Sequence, residues 1–422
     1  MDAFAFLSLV IATAAILAWI NHRFVGLPTT IGVMLVALLM SLGLLAGDLL
    51  GLGLTAPIED LLERFDFGGS LLEIMLAFLL FAGSLHVDLE LLRGQRWVIG
   101  LLATAGVVAT TGLAGLALLA VSNTLDLGLS TLHCLVFGSL IAPTDPIAVL
   151  GILKSAGAPA SLEAKITGES LFIDGIGVVV FGVLAGLLGG HGDHAADAGS
   201  VALLFLQEVG GAAVLGLGGG WLCYRLLASV DDHTVEVLLT LALCMGLYAL
   251  ALAVHASGPL TAVLAGLLIG NSGRAHAMSD ASRERLDTFW EIVDGVLNVV
   301  LFVLIGMEVL LLSWDGAALA AGLVAIPLVL AARFLSVGAT VTALRRRRTF
   351  TPHAVKIMTW GGLRGGISIA LALSLAPGAA RDTLLMVTYV VVVFSILVQG
   401  LTVGRLVALI PDDARQELPW AH

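Results

Sequence analysis

Residues 140–150 read Leu-Ile-Ala-Pro-Thr-Asp-Pro-Ile-Ala-Val-Leu. They lie in an apolar run from 132 to 153, long enough to cross the hydrocarbon layer of a bilayer, which takes roughly 20 residues as a helix. Pro143 and Pro146 remove backbone donors and disfavour helical geometry in the residue ahead of each ring. The stretch therefore predicts a membrane helix that breaks around Thr144 and Asp145. Unwound backbone at that depth persists only where it lines a cavity or is covered by protein. Its freed carbonyls, beside a carboxylate, offer oxygen ligands to a hard alkali cation. A kinked helix of purely structural purpose is the plainer alternative.

The rest of the chain agrees with a membrane setting. Of 422 residues, 59% are hydrophobic and 12% are charged, which no soluble domain of this size hides in one core. Apolar runs fall at 3–20, 30–49, 70–87, 97–121, 132–153, 169–189, 200–228, 235–255, 258–271, 288–313, 316–344, 354–377 and 384–410. The expected fold is an all-α polytopic membrane protein of about thirteen transmembrane helices, with membrane lipid as its solvent. The first run lacks a basic leader and a small-residue cleavage site, so it reads as a retained helix. A net charge of −11 makes nucleic acid a poor partner. Cys134, Cys223 and Cys244 sit inside apolar runs without pairing or metal-ligand spacing and read as inert thiols. His191 and His194, in an acidic loop, read as solvated rather than as a metal or pH site.

Basic residues set the expected topology. With the N-terminus outside, the inward loops carry Arg23; Arg93 and Arg96; Lys154 and Lys165; Arg225; Arg274, Arg283 and Arg285; Arg345 to Arg348 with Lys356; and Arg405 with Arg415. The outward loops hold Arg64 and Arg381. Cytoplasmic loops are enriched in Lys and Arg in this way, so the C-terminus is expected in the cytoplasm. The Arg345 to Arg348 run needs no partner beyond lipid headgroups. Thirteen spans divide into six, one and six, which gives the two sets of six opposite topologies, as in transporters built from inverted repeats.

Charges inside the apolar runs are costly unless paired, protonated or wetted. The acids are Glu73, Asp145, Glu169, Asp174, Glu208, Glu291, Asp294 and Glu308, and the bases are Arg333 and Arg364. Glu208, Glu291 and Glu308, near run ends, are equally read as interfacial. Gly168-Glu169-Ser170-Leu171-Phe172-Ile173-Asp174-Gly175 opens the sixth run. Ser170 and Asp174, four apart, share a helix face, while Glu169 points about 140° away from Asp174. Asp174 can hold either a proton or a metal cation, and competition for one carboxylate is sufficient for exchange. Trp360-Gly361-Gly362-Leu363-Arg364-Gly365-Gly366 interrupts the twelfth run. Its glycines weaken the helix, and Arg364 requires an acid, for which Glu169 is the first choice. Runs five and twelve are counterparts under the inverted-repeat reading, and both carry the interruption expected of a binding centre.

At these residues the chain resembles the sodium/proton antiporters of the monovalent cation/proton antiporter superfamily, in particular the NhaP-type branch of bacteria and archaea. The motifs are Phe81-Ala82-Gly83 with Asp88, Thr144-Asp145-Pro146, Gly168-Glu169-Ser170-Leu171-Phe172, Asp174-Gly175, Leu301-Phe302 with Ile305-Gly306, and Gly362-Leu363-Arg364-Gly365. The resemblance implies exchange of H⁺ for Na⁺, or for K⁺ or Li⁺, by alternating access in a bacterial inner membrane, with no cofactor. It implies crossed broken helices in the core and a homodimer. It makes Asp174 the shared carrier, with the cation at Asp174, Ser170 and Thr144, and with Asp145 and Glu73 around it. One position departs: the family has Asn before the essential Asp, where this chain has Ile173. That Asn serves the acid at the position of Glu169, so Glu169 is expected to lean on Arg364 or water.

The implied division is scaffold and dimerisation helices at 1–95, core helices at 96–190, a linking helix at 191–230, scaffold helices at 231–313, core helices at 314–410 and a short cytoplasmic tail at 411–422. The rival readings are a cation channel or another ion-coupled transporter, and an intramembrane aspartyl protease built on Asp145 and Asp174. No repeated carbonyl filter motif supports a channel, and the proline bracket with Arg364 fits ion transport better than a carboxylate dyad.

Overall fold

A computed structural model describes all residues except 1–2, 57, 59–71, 146–148, 152, 154–155, 190–197, 274–277, 347–349 and 412–422. Arg64, Pro146, Lys154, His191, His194, Arg274, Arg347, Arg348 and Arg415 therefore lie outside the described residues. The described elements are all helical. In chain order they are α1 (Ala3–Ile20), α2 (Thr29–Leu49), α3 (Leu72–Leu85), α4 (Leu89–Thr124), α5 (Thr131–Ile141), α6 (Ala160–Leu188) and α7 (Ala198–Leu227). There follow α8 (His233–Ala253), α9 (Gly258–Gly273), α10 (Asp280–Glu308), α11 (Gly316–Leu344), α12 (Ala354–Trp360), α13 (Gly366–Leu373) and α14 (Ala379–Val407).

Nine of the described helices are long and apolar enough to cross a membrane, and shorter apolar helices cover most of α3 and all of α5 and α9. With α12 and α13 as halves of one interrupted crossing, each of the thirteen apolar runs has its helix. The helices often begin earlier than the runs. α4, α6 and α10 start at Leu89, Ala160 and Asp280, whereas hydropathy alone starts them at 97, 169 and 288. Their first turns carry charge, and side-chain caps hold α4 and α10 in place. Asp88 accepts from the backbone N–H groups of Glu90 and Leu91, and Ser279 accepts from that of Ser282. Helical hydrogen bonding continues into water where hydropathy no longer reports it.

Small residues set how closely the helices pack, since lipid supplies no hydrophobic drive between them. On α9, a Cβ at Gly266 would lie 2.7 Å from the Phe81 carbonyl oxygen, and one at Gly270 would lie 2.2 Å from that of Leu85. These two glycines, one helical turn apart, let α9 rest directly on the α3 backbone. Trp290 of α10 fills the space beside them with Phe78 and Phe81, and its indole N–H donates to Thr240 Oγ1 at 3.1 Å. A second cluster joins α2, α10 and α14 through Ile31, Met34, Phe302 and Met386. Between these packed regions lie the two interruptions.

Candidate functional site

The two breaks meet. α5 ends at Ile141 and Ala142 to Asp145 leave the helix, while α12 ends at Trp360 and α13 begins at Gly366. The Asp145 backbone N–H donates to the Leu363 carbonyl at 2.7 Å. Arg364 Nη1 donates to the carbonyls of Ala142 at 3.3 Å and Pro143 at 3.2 Å, so a cation caps the C-terminal end of α5, where the helix dipole favours one. α14 serves the other break through its π-helical turn Ser395–Gln399. Ser395 Oγ accepts from the Arg364 backbone N–H at 2.9 Å, and Gln399 Nε2 donates to the Trp360 carbonyl at 2.9 Å. Unwound backbone within a membrane must find such partners inside the protein. A Cβ at Gly365 would stand 2.6 Å from Asp145 Oδ2, so only glycine lets the second break lie against that carboxylate.

Asp174 projects from α6 and is 3% exposed. It accepts from the Thr144 backbone N–H, and its Oδ1 has no hydrogen-bond partner. Thr144 and Ser170 are both buried, with their hydroxyl oxygens 2.8 Å apart. A partly open cavity with about 580 Å³ of empty space borders these groups. Thr144 and Asp145 from one break, Asp174, and Gly365 to Ser368 from the other break line it. Leu79 and Gly83 of α3 and Asn298 and Leu301 of α10 form part of the facing wall. Carboxylate and hydroxyl oxygens converging in an otherwise apolar cavity form a donor set for a hard monovalent cation.

Of the expected ligands, Thr144, Asp145 and Asp174 line this cavity, and Ser170 stands behind Thr144 through their hydrogen bond. Glu73 falls in the first turn of α3, and its side chain lies outside the described residues. Asn298 and Ser368 also face the cavity, although sequence reasoning did not select them. Their only signal is a polar side chain inside an apolar run, which many satisfied helix residues share. Asp294, one turn before Asn298, lies within electrostatic reach of Asp145.

The ion pair differs from expectation. Glu169 Oε1 lies 2.5 Å from Arg333 Nη1 of α11, with both side chains buried. Arg364, the partner expected from sequence, lies within electrostatic reach of Glu169 but gives its side-chain hydrogen bonds to the carbonyls at the end of α5. The reason is geometric: Glu169 points away from Asp174 around α6, whereas Arg364 is drawn into the break that carries Asp145. Arg333 also donates to the Met358 carbonyl at 3.5 Å, and a Cβ at Gly362 would lie 2.9 Å from its Nε. Ile173 is 1% exposed in an apolar cluster with Ala103, Val107 and Ala142. Ile173 offers Glu169 no hydrogen bond, and the charged partner of Glu169 comes from α11.

The chain's relatives agree with this architecture. Residues 11–409 match the family described as sodium/hydrogen exchanger, transmembrane. The Na(+)/H(+) antiporter NhaP of Pseudomonas aeruginosa is 47% identical over 402 residues, 94% of each chain. The Na(+)/H(+) antiporter NhaH of Halobacillus dabanensis is 33% identical over 373 residues, 86% of this chain and 89% of its own. In fold, the chain resembles the sodium proton antiporter MjNhaP1 from Methanocaldococcus jannaschii solved at pH 8, with a TM-score of 0.75 at 19% identity, covering 97% and 98% of the two chains. Matched along most of its length, the chain is a multi-pass membrane protein that belongs to the sodium/hydrogen exchanger family.

Proposed function

We propose that Asp174 carries the proton and the alkali cation in turn, so that the chain exchanges H⁺ for Na⁺ across the membrane. The observation that carries this reading is the unpartnered Oδ1 of Asp174 inside the cavity where the two broken helices cross. When a proton leaves Asp174, its carboxylate, the Thr144 and Ser170 hydroxyls and Asp145 can receive Na⁺, or K⁺ or Li⁺. When a proton returns, the cation loses its counter-charge and departs. Because either ligand excludes the other, movement of the site between the two aqueous faces transports one against the other. Membership in an exchanger family favours antiport over a channel.

In this reading the helices at 96–190 and 314–410 move as a core against the scaffold helices, which also form a homodimer contact. The relatives' bacterial sources support a plasma-membrane location, and the loop arginines support an N-terminus outside and a C-terminus in the cytoplasm. The test is proton flux in proteoliposomes with Na⁺, K⁺ or Li⁺ added in turn. The intact chain is expected to move protons against cation without uncoupled conductance, and Asp174→Asn is expected to abolish the exchange. Exchange that survives in Asp174→Asn refutes the assignment.

A further inference from the structure

We infer that Ser368 Oγ is a direct ligand of the transported cation, giving the second broken helix a share in a site whose other oxygens come from α5 and α6. This inference rests on the Asp174 site and specifies its coordination.

Ser368 sits in the first turn of α13, 1% exposed. It lines the same cavity as Thr144, Asp145 and Asp174. Its hydroxyl has no hydrogen-bond partner. Some buried helical serines satisfy themselves by bonding back along the helix, as Ser84 does to the Phe81 carbonyl at 2.8 Å and Ser139 to that of Val136 at 2.7 Å. Ser41 Oγ on α2 is also without a partner, and what sets Ser368 apart is that it lines the cavity beside Asp174. Three residues before Ser368 stands Gly365, within the break, so the same geometry is not offered by a regular preceding turn. A buried polar group left in this way costs stability unless something occupies the space beside it.

The cavity identifies the occupant. On the α13 side, the residues flanking Ser368 toward Asp145 are Gly365, Gly366 and Ile367, which present no side-chain oxygen. The start of a helix also carries positive partial charge, which suits the Asp145 carboxylate but repels a cation. A cation bound between Asp174 and Asp145 therefore needs an oxygen lone pair from this side, and Ser368 supplies it. On the opposite side Thr144 and Ser170 already share one hydrogen bond, which fixes their oxygens relative to each other and leaves Ser368 as the adjustable hydroxyl. Its distance from Asp174 then contributes to the choice among alkali cations of different radius.

The experiment uses the full chain in proteoliposomes and measures exchange against Na⁺, Li⁺ and K⁺ concentration for Ser368→Ala, Ser368→Cys and Ser368→Thr. Removing the oxygen is expected to raise the half-saturating Na⁺ concentration by about tenfold, with little change in maximal rate or melting temperature. Ser368→Cys, which keeps the volume but replaces a hard ligand with a soft one, is expected to behave like Ala. Ser368→Thr is expected to restore affinity, and the ratio of Na⁺ to Li⁺ affinity is expected to move in Ala and Cys but not in Thr. Unchanged affinities and ratios in folded Ala or Cys variants mean that the hydroxyl meets only water, and overturn the inference. If Asp174→Asn is inactive while those variants match the parent, the failure belongs to Ser368 alone. If Asp174→Asn still exchanges, the site itself is misassigned.

Discussion

The Asp145 backbone N–H and the Leu363 carbonyl, 2.7 Å apart, tie together two interruptions separated by more than half the chain. The bond joins main chain to main chain, so neither break can shift without disturbing the other. Side chains reinforce it, with Arg364 reaching the carbonyls of Ala142 and Pro143 just past α5 and Asp145 lying over Gly365. The site residues are thereby held by a crossing rather than by either helix alone.

Gly365→Ala tests that crossing. The added methyl would stand 2.6 Å from Asp145 Oδ2, so the carboxylate or the break must give way. Displacing a functional group by about 1 Å can cost on the order of a hundredfold in rate, and a loss of at least about tenfold in sodium-driven proton flux is expected. Parental flux in a folded Gly365→Ala protein means that the cavity tolerates a displaced Asp145.

Arg333 carries a stability prediction that sequence reading assigned to Arg364. Arg333→Met strands the buried carboxylate of Glu169, at a cost of about 3–5 kcal/mol, and should lower the melting temperature in detergent sharply. Adding Glu169→Gln should recover part of the loss, because the uncompensated charge is gone. Equal melting of Arg333→Met and the parent would show that other groups hold Glu169. Arg364→Lys keeps its charge but loses the guanidinium geometry that holds Nη1 against two carbonyls, so transport is expected to suffer more than stability.

Ile173→Asn restores the family residue in a pocket that no longer suits it. An amide replaces a methyl-rich side chain packed on Ala103, Val107 and Ala142, while Glu169 already has Arg333. A loss of about 1–3 kcal/mol is expected, with the order of cation preference unchanged. Flux assays across Na⁺, K⁺ and Li⁺ decide it: a reordered preference would mean that this position sets selectivity after all.

At the solvent-facing start of α8, Asp232 accepts from the backbone N–H groups of Thr234 at 2.8 Å and Val235 at 3.2 Å. These bonds, led by that of Val235, hold its carboxyl below the usual range. A depressed folded value contributes stability that is present above the unfolded pKa and is lost as pH falls through the folded one. The acid limb of melting temperature against pH should therefore be shallower in Asp232→Ala, with the difference in slope confined to pH below about 4 and the parent's advantage fully present above it. Superimposable acid limbs would remove Asp232 as a contributor.

The sequence by itself determined the membrane class, the order of the helices and both interruptions, because these follow from local quantities. Length of apolar run, proline at 143 and glycine at 361, 362, 365 and 366 act on the backbone wherever the chain is placed. It also brought Thr144, Ser170 and Asp174 into consideration through spacing on one helix and one break. Only the tertiary structure decided partners. Whether Glu169 meets Arg333 or Arg364, and whether Ser368 turns into the cavity or bonds to its own helix, depends on how α6, α11 and α13 are rotated and crossed. Pairing is a property of distance between segments far apart in sequence, and two arginines inside apolar runs satisfy the same charge balance until packing brings one of them to the acid.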